Sequence, residues 1–271
     1  MLLYNGRLLP DTDFALPLPN RGLFFNDGFF ETLVWADGGL RYRELHAARM
    51  QRAATALNLD LPPTLSSAES LENTLVALLP VDGNPTRLRI QLWRGGAGLY
   101  TPETNASEWL ATARPFTPQN APVATAGFAE TVRMQLSSVS FCKGPQALTY
   151  VLAARERQRR GLDELLLLST VGHVAEAVAA AVFWLRNGEL FTPSLATGCV
   201  AGVRRAHLLA AARQRGLSVQ EVLAEPAELL AAEAVFTANV AGIRAVRQVE
   251  EQVFDVKHPL LEQLRRWDAQ G

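Results

Sequence analysis

The segment RPFTPQNAP at 114–122 places three prolines in nine residues. Proline fixes φ and lacks an N–H, so neither a helix nor a central strand runs through such a stretch. The chain therefore reads as an N-terminal domain at 1–115, a linker at 116–122 and a C-terminal domain at 123–271. A total of 271 residues is enough for two modest cores.

The two parts differ in rhythm. The first opens on apolar runs around Asn5-Gly6, a strong hairpin signal. A strand is predicted over 29–35, and a helix over 43–57 with Leu45, Ala48, Ala53, Ala56 and Leu57 on or near one face. A second helix over 68–79 stops at Pro80, and RLRIQLWR at 87–94 alternates as a strand before the glycine-rich GGAG at 95–98. In the second part the pattern predicts a strand over 132–141, a helix over 146–160 and an apolar strand over 162–168. A hairpin across Asn187-Gly188 and a helix over 203–215 follow. Strands and helices do not alternate regularly, so the fold class is α+β in two domains.

A formal net charge of −1 gives no general electrostatic reason to expect nucleic acid or an anionic membrane as partner. Cys142 and Cys199 have neither CxxC nor metal-ligand spacing, and the four histidines are scattered, so no metal site is expected. The first residues, MLLYNGRLLPDTD, lack the basic and apolar regions of a signal peptide. A reduced, cytoplasmic protein is the expectation.

Of the 26 basic residues only Lys143 and Lys257 are lysines. Arginine carries charge equally well but does not deprotonate to a nucleophilic amine. Lys143 stands at an expected strand-to-helix turn with Gly144 and Pro145 behind it. It is either a solvated ammonium or an amine reserved for Schiff-base chemistry. Glu176 is the only formally charged residue between Glu164 and Arg186. It is an exposed acid at a strand start, or a buried carboxylate that needs a partner. Ala201-Gly202-Val203-Arg204-Arg205 opens a helix whose N–H groups suit a phosphate, and Arg49 offers a second phosphate clamp. A Schiff-base lysine, a carboxylate for a pyridinium nitrogen and a phosphate nest are together what pyridoxal 5′-phosphate requires.

With these residues in place, the chain resembles the class IV (fold-type IV) pyridoxal-phosphate enzymes: branched-chain and D-amino acid aminotransferases and aminodeoxychorismate lyase. The resemblance runs through RGLFFNDGFFET (21–32), HAARM (46–50), RIQLWRG (89–95), KGPQALTYVLAARE (143–156), GLDELLLL (161–168), GHVAE (172–176), LFTP…AGVRR (190–205) and TANVAGIRAV (237–246). It implies a small N-terminal α/β domain, a larger C-terminal pseudo-barrel domain and a homodimer with the site between the domains. It also implies that Lys143 bonds the cofactor aldehyde and that Glu176 pairs with the pyridinium. The phosphate would be held by Arg49, by the backbone of Gly202, Val203 and Arg204, and by the Thr237–Asn239 region. Departures are Arg204 for the usual threonine and Ala181 for the usual asparagine. The tyrosine or asparagine that usually follows the lysine is missing, with Gln146 in the asparagine's place and Tyr150 further along the helix, and Gly98 or Leu99 replaces a substrate-binding arginine. The expected activity is amino transfer between an amino acid and a 2-oxo acid. The alternatives are pyruvate elimination from aminodeoxychorismate and a non-catalytic cofactor-fold protein.

Overall fold

A computed structural model describes residues 1–269. They form two compact units: 1–117 together with Cys142–Pro145, and 118–141 together with 146 onward. Lys143 thus belongs to the first unit, although it follows the proline-rich segment in sequence.

The first unit contains β1 (Leu2–Tyr4), β2 (Arg7–Leu9), α1 (Arg21–Phe25), β3 (Gly28–Ala36), β4 (Gly39–Leu40), α2 (Arg43–Leu57), α3 (Ala68–Leu75), β5 (Thr86–Arg94) and β6 (Ser107–Pro115). Its strands make one six-stranded antiparallel sheet in the order β2-β1-β6-β5-β3-β4. Along β5, Leu88, Ile90 and Leu92 are buried while Arg87 and Arg89 are exposed, the period-two pattern expected of a half-covered sheet. Asn5 and Gly6 both take positive φ and turn β1 into β2.

Helix α2 occupies the predicted span but buries a different face. The inward residues are His46, Ala47, Arg49, Met50, Ala53 and Ala54, whereas Ala48 and Ala56 are exposed. Counting apolar residues alone misplaced the face, because two of the inward side chains are polar and are neutralised by a partner on β3.

The second unit contains β7 (Ala126–Met134), α4 (Ala147–Arg159), β8 (Glu164–Ser169), β9 (Val174–Ala177), β10 (Ala181–Arg186), β11 (Glu189–Pro193), α5 (Val203–Gln214), β12 (Val219–Val222), α6 (Pro226–Leu230), β13 (Ala234–Asn239), β14 (Gly242–Val246), β15 (Gln248–Val249), β16 (Gln252–Val253) and α7 (Pro259–Asp268). Two five-stranded sheets form, β12-β11-β10-β13-β14 and β16-β15-β7-β8-β9. Short bridges Ala177↔Ala180 and Val123↔Val246 join them on two sides, which curls the unit into a pseudo-barrel. The parallel pair β7–β8 is connected through α4, and Asn187-Gly188 turns β10 into β11 as predicted. Phe183 and Phe236 stack at 5.0 Å between neighbouring strands, beside Leu208, Leu209, Leu261 and Leu264 of α5 and α7.

The strand predicted over 132–141 ends instead at Met134, and turns carry the chain from there to α4. Pro145 lies outside α4, whose N-cap is Gln146. The Ser137 and Ser140 groups hydrogen-bond within this stretch, the local alternative that serine offers to a strand ladder.

Asp27 organises the end of the first unit's sheet. Its carboxylate accepts from Arg21 Nε at 2.8 Å and Arg94 Nε at 3.0 Å. Arg94 also donates to the Leu57 and Asn58 carbonyls and to Asn105. Removing one partner from a buried ion cluster leaves uncompensated charge. The variant Asp27→Ala is expected to lose about 3 kcal/mol of stability, seen as a lower urea midpoint at unchanged m-value; a loss under about 0.5 kcal/mol would contradict this role.

Candidate active site

In the first unit, Lys143 rides on backbone pressed against β3. Its carbonyl accepts from Phe30 N at 2.9 Å, and the Gly144 carbonyl accepts from Asn26 Nδ2 at 2.7 Å. Asn26 caps α1 in the left-handed conformation, so the FFNDGFF motif supplies both the strand edge and the side chain that grip this loop. Gly144 has φ +135°, and a Cβ there would stand 2.9 Å from Phe29 Cα and 3.0 Å from the Gly28 carbonyl oxygen. Gly28 is equally confined: its Cβ would lie 2.0 Å from the Leu92 carbonyl oxygen. Close approach of backbone to backbone therefore demands glycine at both places. Lys143 Nζ sits 5.9 Å from the centre of the Phe30 ring.

Arg49 reaches inward from α2 to Glu31 on β3. Its Nε and Nη2 donate to the two Glu31 oxygens at 2.7 and 2.6 Å, a bidentate pair. His46 Nδ1 lies 2.7 Å from Glu31 Oε2. Burial alone would raise the Glu31 pKa, but the Arg49 charge and the His46 hydrogen bond outweigh it and hold the carboxyl well below the usual carboxylate range. Burial pushes the His46 pKa down, so the ring is neutral, and facing an ionised carboxylate it carries its proton on Nδ1. The neighbouring Cys142 thiol is pushed up to about 11 by burial, so it is no thiolate nucleophile.

In the second unit Glu176 lies in β9, 5% exposed. It is a buried strand residue, not an exposed acid. Its Oε1 accepts from Tyr150 Oη at 2.7 Å and from Val200 N at 3.2 Å. Tyr150 projects from α4, seven residues after Lys143 in sequence. Helix α5 begins at Val203 with Gly202 as N-cap, and no side chain caps it. Arg204 turns its guanidinium to Asp268 at 2.9 and 2.7 Å and to the Asn239 carbonyl at 2.6 Å. Arg205 donates to the Pro193 carbonyl and to Glu221.

Thr237, on β13, is 2% exposed. The Asn239 side chain is committed to the fold: Nδ2 donates to the Ala179 carbonyl at 3.0 Å, and Oδ1 accepts from Ala241 N at 2.8 Å. Asn239 closes the β13–β14 turn with its amide. Ala181 opens β10 opposite Ala238. The Gly98 and Leu99 carbonyls accept from Arg21 Nη1 at 2.9 and 2.6 Å, so the loop lacking the expected arginine is pinned from α1.

Each unit thus gathers its own share of the residues singled out from sequence. The first holds Lys143 and Arg49; the second holds Glu176, Gly202, Val203, Arg204, Thr237 and Asn239. Sequence reasoning assigned no part to Glu31, His46 or Asp268, and left Tyr150 without one. Glu31 lies in the RGLFFNDGFFET segment, but a lone glutamate in an apolar strand does not name its partner.

Glu31 carries a pH signature. With its folded pKa depressed, its contribution to stability is present above the unfolded value of about 4.3 and is lost as pH falls toward the folded one. Glu31→Gln, which leaves Arg49 without its counter-charge, is expected to cost about 3 kcal/mol near neutrality and less at about pH 3. Urea midpoints at the two pH values check this; an equal deficit at both would contradict it.

The amino-transferase class IV family matches residues 28–249. The chain is 28% identical over 257 residues to an aminodeoxychorismate lyase of Bacillus subtilis, covering 93% of this chain and 87% of that protein. It is 28% identical over 264 residues to a D-alanine aminotransferase of Bacillus licheniformis, covering 93% and 89%. Among solved structures, the branched-chain amino acid aminotransferase from Thermobaculum terrenum in its PLP form superposes with a TM-score of 0.85 at 20% identity, over 99% of this chain and 92% of that one.

Proposed function

The chain belongs to the class IV amino-transferase family, and on that premise we propose that it is a pyridoxal 5′-phosphate-dependent transaminase that moves an amino group between an amino acid and a 2-oxo acid. The observation that carries the reading is the Lys143 amine on a loop that two close-packed glycines hold rigid. A surface ammonium needs no such seat. The donor set fits the cofactor: an amine for its aldehyde, a buried carboxylate for its ring nitrogen, and an uncapped helix start for its phosphate.

When bound, the cofactor supplies an electron sink for the bond broken at the substrate Cα. Lys143 Nζ would hold the cofactor aldehyde, and the same amine would serve as the base for the substrate Cα proton. Glu176 would keep a proton on the ring nitrogen, and the Tyr150 hydroxyl and Val200 N–H orient its carboxylate. For the phosphate, Arg49, oriented by Glu31, is the first unit's candidate, and the backbone N–H groups at the start of α5 with Thr237 are the second unit's. Arg204 contributes to that contact through its main chain, since its guanidinium is engaged elsewhere.

Two further points support a homodimer in the cytoplasm. Leu148, Val151 and Leu152 leave an apolar face of α4 exposed, as Phe24, Leu99 and Tyr100 do in the first unit. Cys142 and Cys199 are free thiols, and no helix among the described residues is long and apolar enough to cross a membrane.

Pyruvate elimination from aminodeoxychorismate is the second reading. It is favoured by the match to the Bacillus lyase. Parallel assays separate the two. The transaminase reading expects amino-acid consumption that requires a 2-oxo acid and falls by about 10³-fold or more in Lys143→Ala. Release of p-aminobenzoate without 2-oxo acid would establish the lyase instead.

A further inference from the structure

One guanidinium ties three segments of the second unit together. Arg204, 8% exposed, is the second residue of α5, where threonine is usual in the class IV pattern. Its Nε and Nη2 donate to the two oxygens of Asp268, the last residue of α7, at 2.9 and 2.7 Å. Its Nη1 donates to the carbonyl of Asn239, the last residue of β13, at 2.6 Å. All three guanidinium nitrogens are therefore engaged inside the unit. The two segments so joined, the start of α5 and the end of β13, are those that supply the phosphate donors in the proposed function.

An independent observation points to a ligand at the β13 end. Thr237 is 2% exposed, and its hydroxyl hydrogen-bonds to none of the described residues. Its oxygen is not among the fully buried unpaired side-chain atoms, so a small opening remains through which an acceptor can reach it. A phosphate oxygen is such an acceptor. The distance between Thr237 and the α5 N–H groups must then match a single phosphate. A bidentate arginine–carboxylate pair is a stiffer spacer than a single hydrogen bond, because both its bonds fix the same plane.

We propose that Arg204 and Asp268 are positioning residues for the cofactor phosphate: the pair sets the spacing of α5 and β13, so that the end of the C-terminal helix governs affinity for the phosphorylated cofactor. The chain has exchanged a hydroxyl donor at position 204 for a brace. This rests on the pyridoxal-phosphate reading. Helix α7 also packs Leu261 and Leu264 against Leu208, Leu209 and Ala212 of α5, so its docking does not depend on Asp268 alone.

The test compares the affinity of the full-length chain for pyridoxal 5′-phosphate and for pyridoxal, which lacks the phosphate, by absorbance titration. Asp268→Asn, which keeps the shape and removes the charge, should weaken pyridoxal 5′-phosphate binding by about tenfold and change pyridoxal binding by less than about twofold. Arg204→Lys, which keeps the charge and loses the fork, should do the same, and Asp268→Glu should restore most of the loss. Arg204→Lys carries the test if Asp268→Asn does not fold. Equal weakening toward both ligands would make the pair merely structural, and unchanged or tighter phosphate binding would make the freed Arg204 cation the ligand; either result overturns the proposal. A wild-type chain that binds both ligands equally would instead remove the phosphate site itself, and both readings with it.

Discussion

The close approach of the Lys143–Gly144 loop to the start of β3 is the constraint on which the rest of the first unit depends. It exists only because Gly28 lets β3 lie on β5 and Gly144 lets the loop lie on β3. Two main-chain carbonyls of the loop are then satisfied by Phe30 N and Asn26 Nδ2. A lysine carried this way has its Cα fixed by the sheet, and only its side-chain rotamers remain to be ordered on bonding a ligand. Ordering fewer degrees of freedom at the moment of binding leaves more of the interaction energy for affinity.

Within each unit, carboxylates orient the arginines. Asp27 joins Arg21 to Arg94, Glu31 joins Arg49 to His46, and Asp268 holds Arg204. Such pairs contribute little net stability, because desolvation offsets attraction. They do fix direction: a bidentate arginine has one orientation where a solvated one has many. In the second unit Glu176 is held in turn by the Tyr150 hydroxyl and the Val200 N–H.

Much of this was legible in the chain, and the gaps have physical causes. Asn5-Gly6 and Asn187-Gly188 announced their hairpins, because positive φ at both residues is a demand that few sequences meet. The span of α2 was readable from periodicity, but its buried face was not. His46 and Arg49 look like solvent-facing residues until Glu31 is brought beside them by strand pairing, a contact that sequence spacing does not encode. The 132–141 strand failed because serine-rich local hydrogen bonding ends it at Met134. Glu176 could be suspected from its isolation among uncharged residues, yet its burial and its tyrosine partner required the fold. The local bonding of Asn239 at the end of β13 was not legible from spacing. Its amide satisfies the β13–β14 turn.

The central claim is that the Lys143 amine is the group that bonds the cofactor. Borohydride reduction of the purified protein followed by peptide mass mapping tests it directly. The account predicts a reduced pyridoxyl-phosphate adduct on the peptide that contains Lys143 and none on the peptide that contains Lys257. An unmodified Lys143, or an adduct found on Lys257 instead, would contradict it.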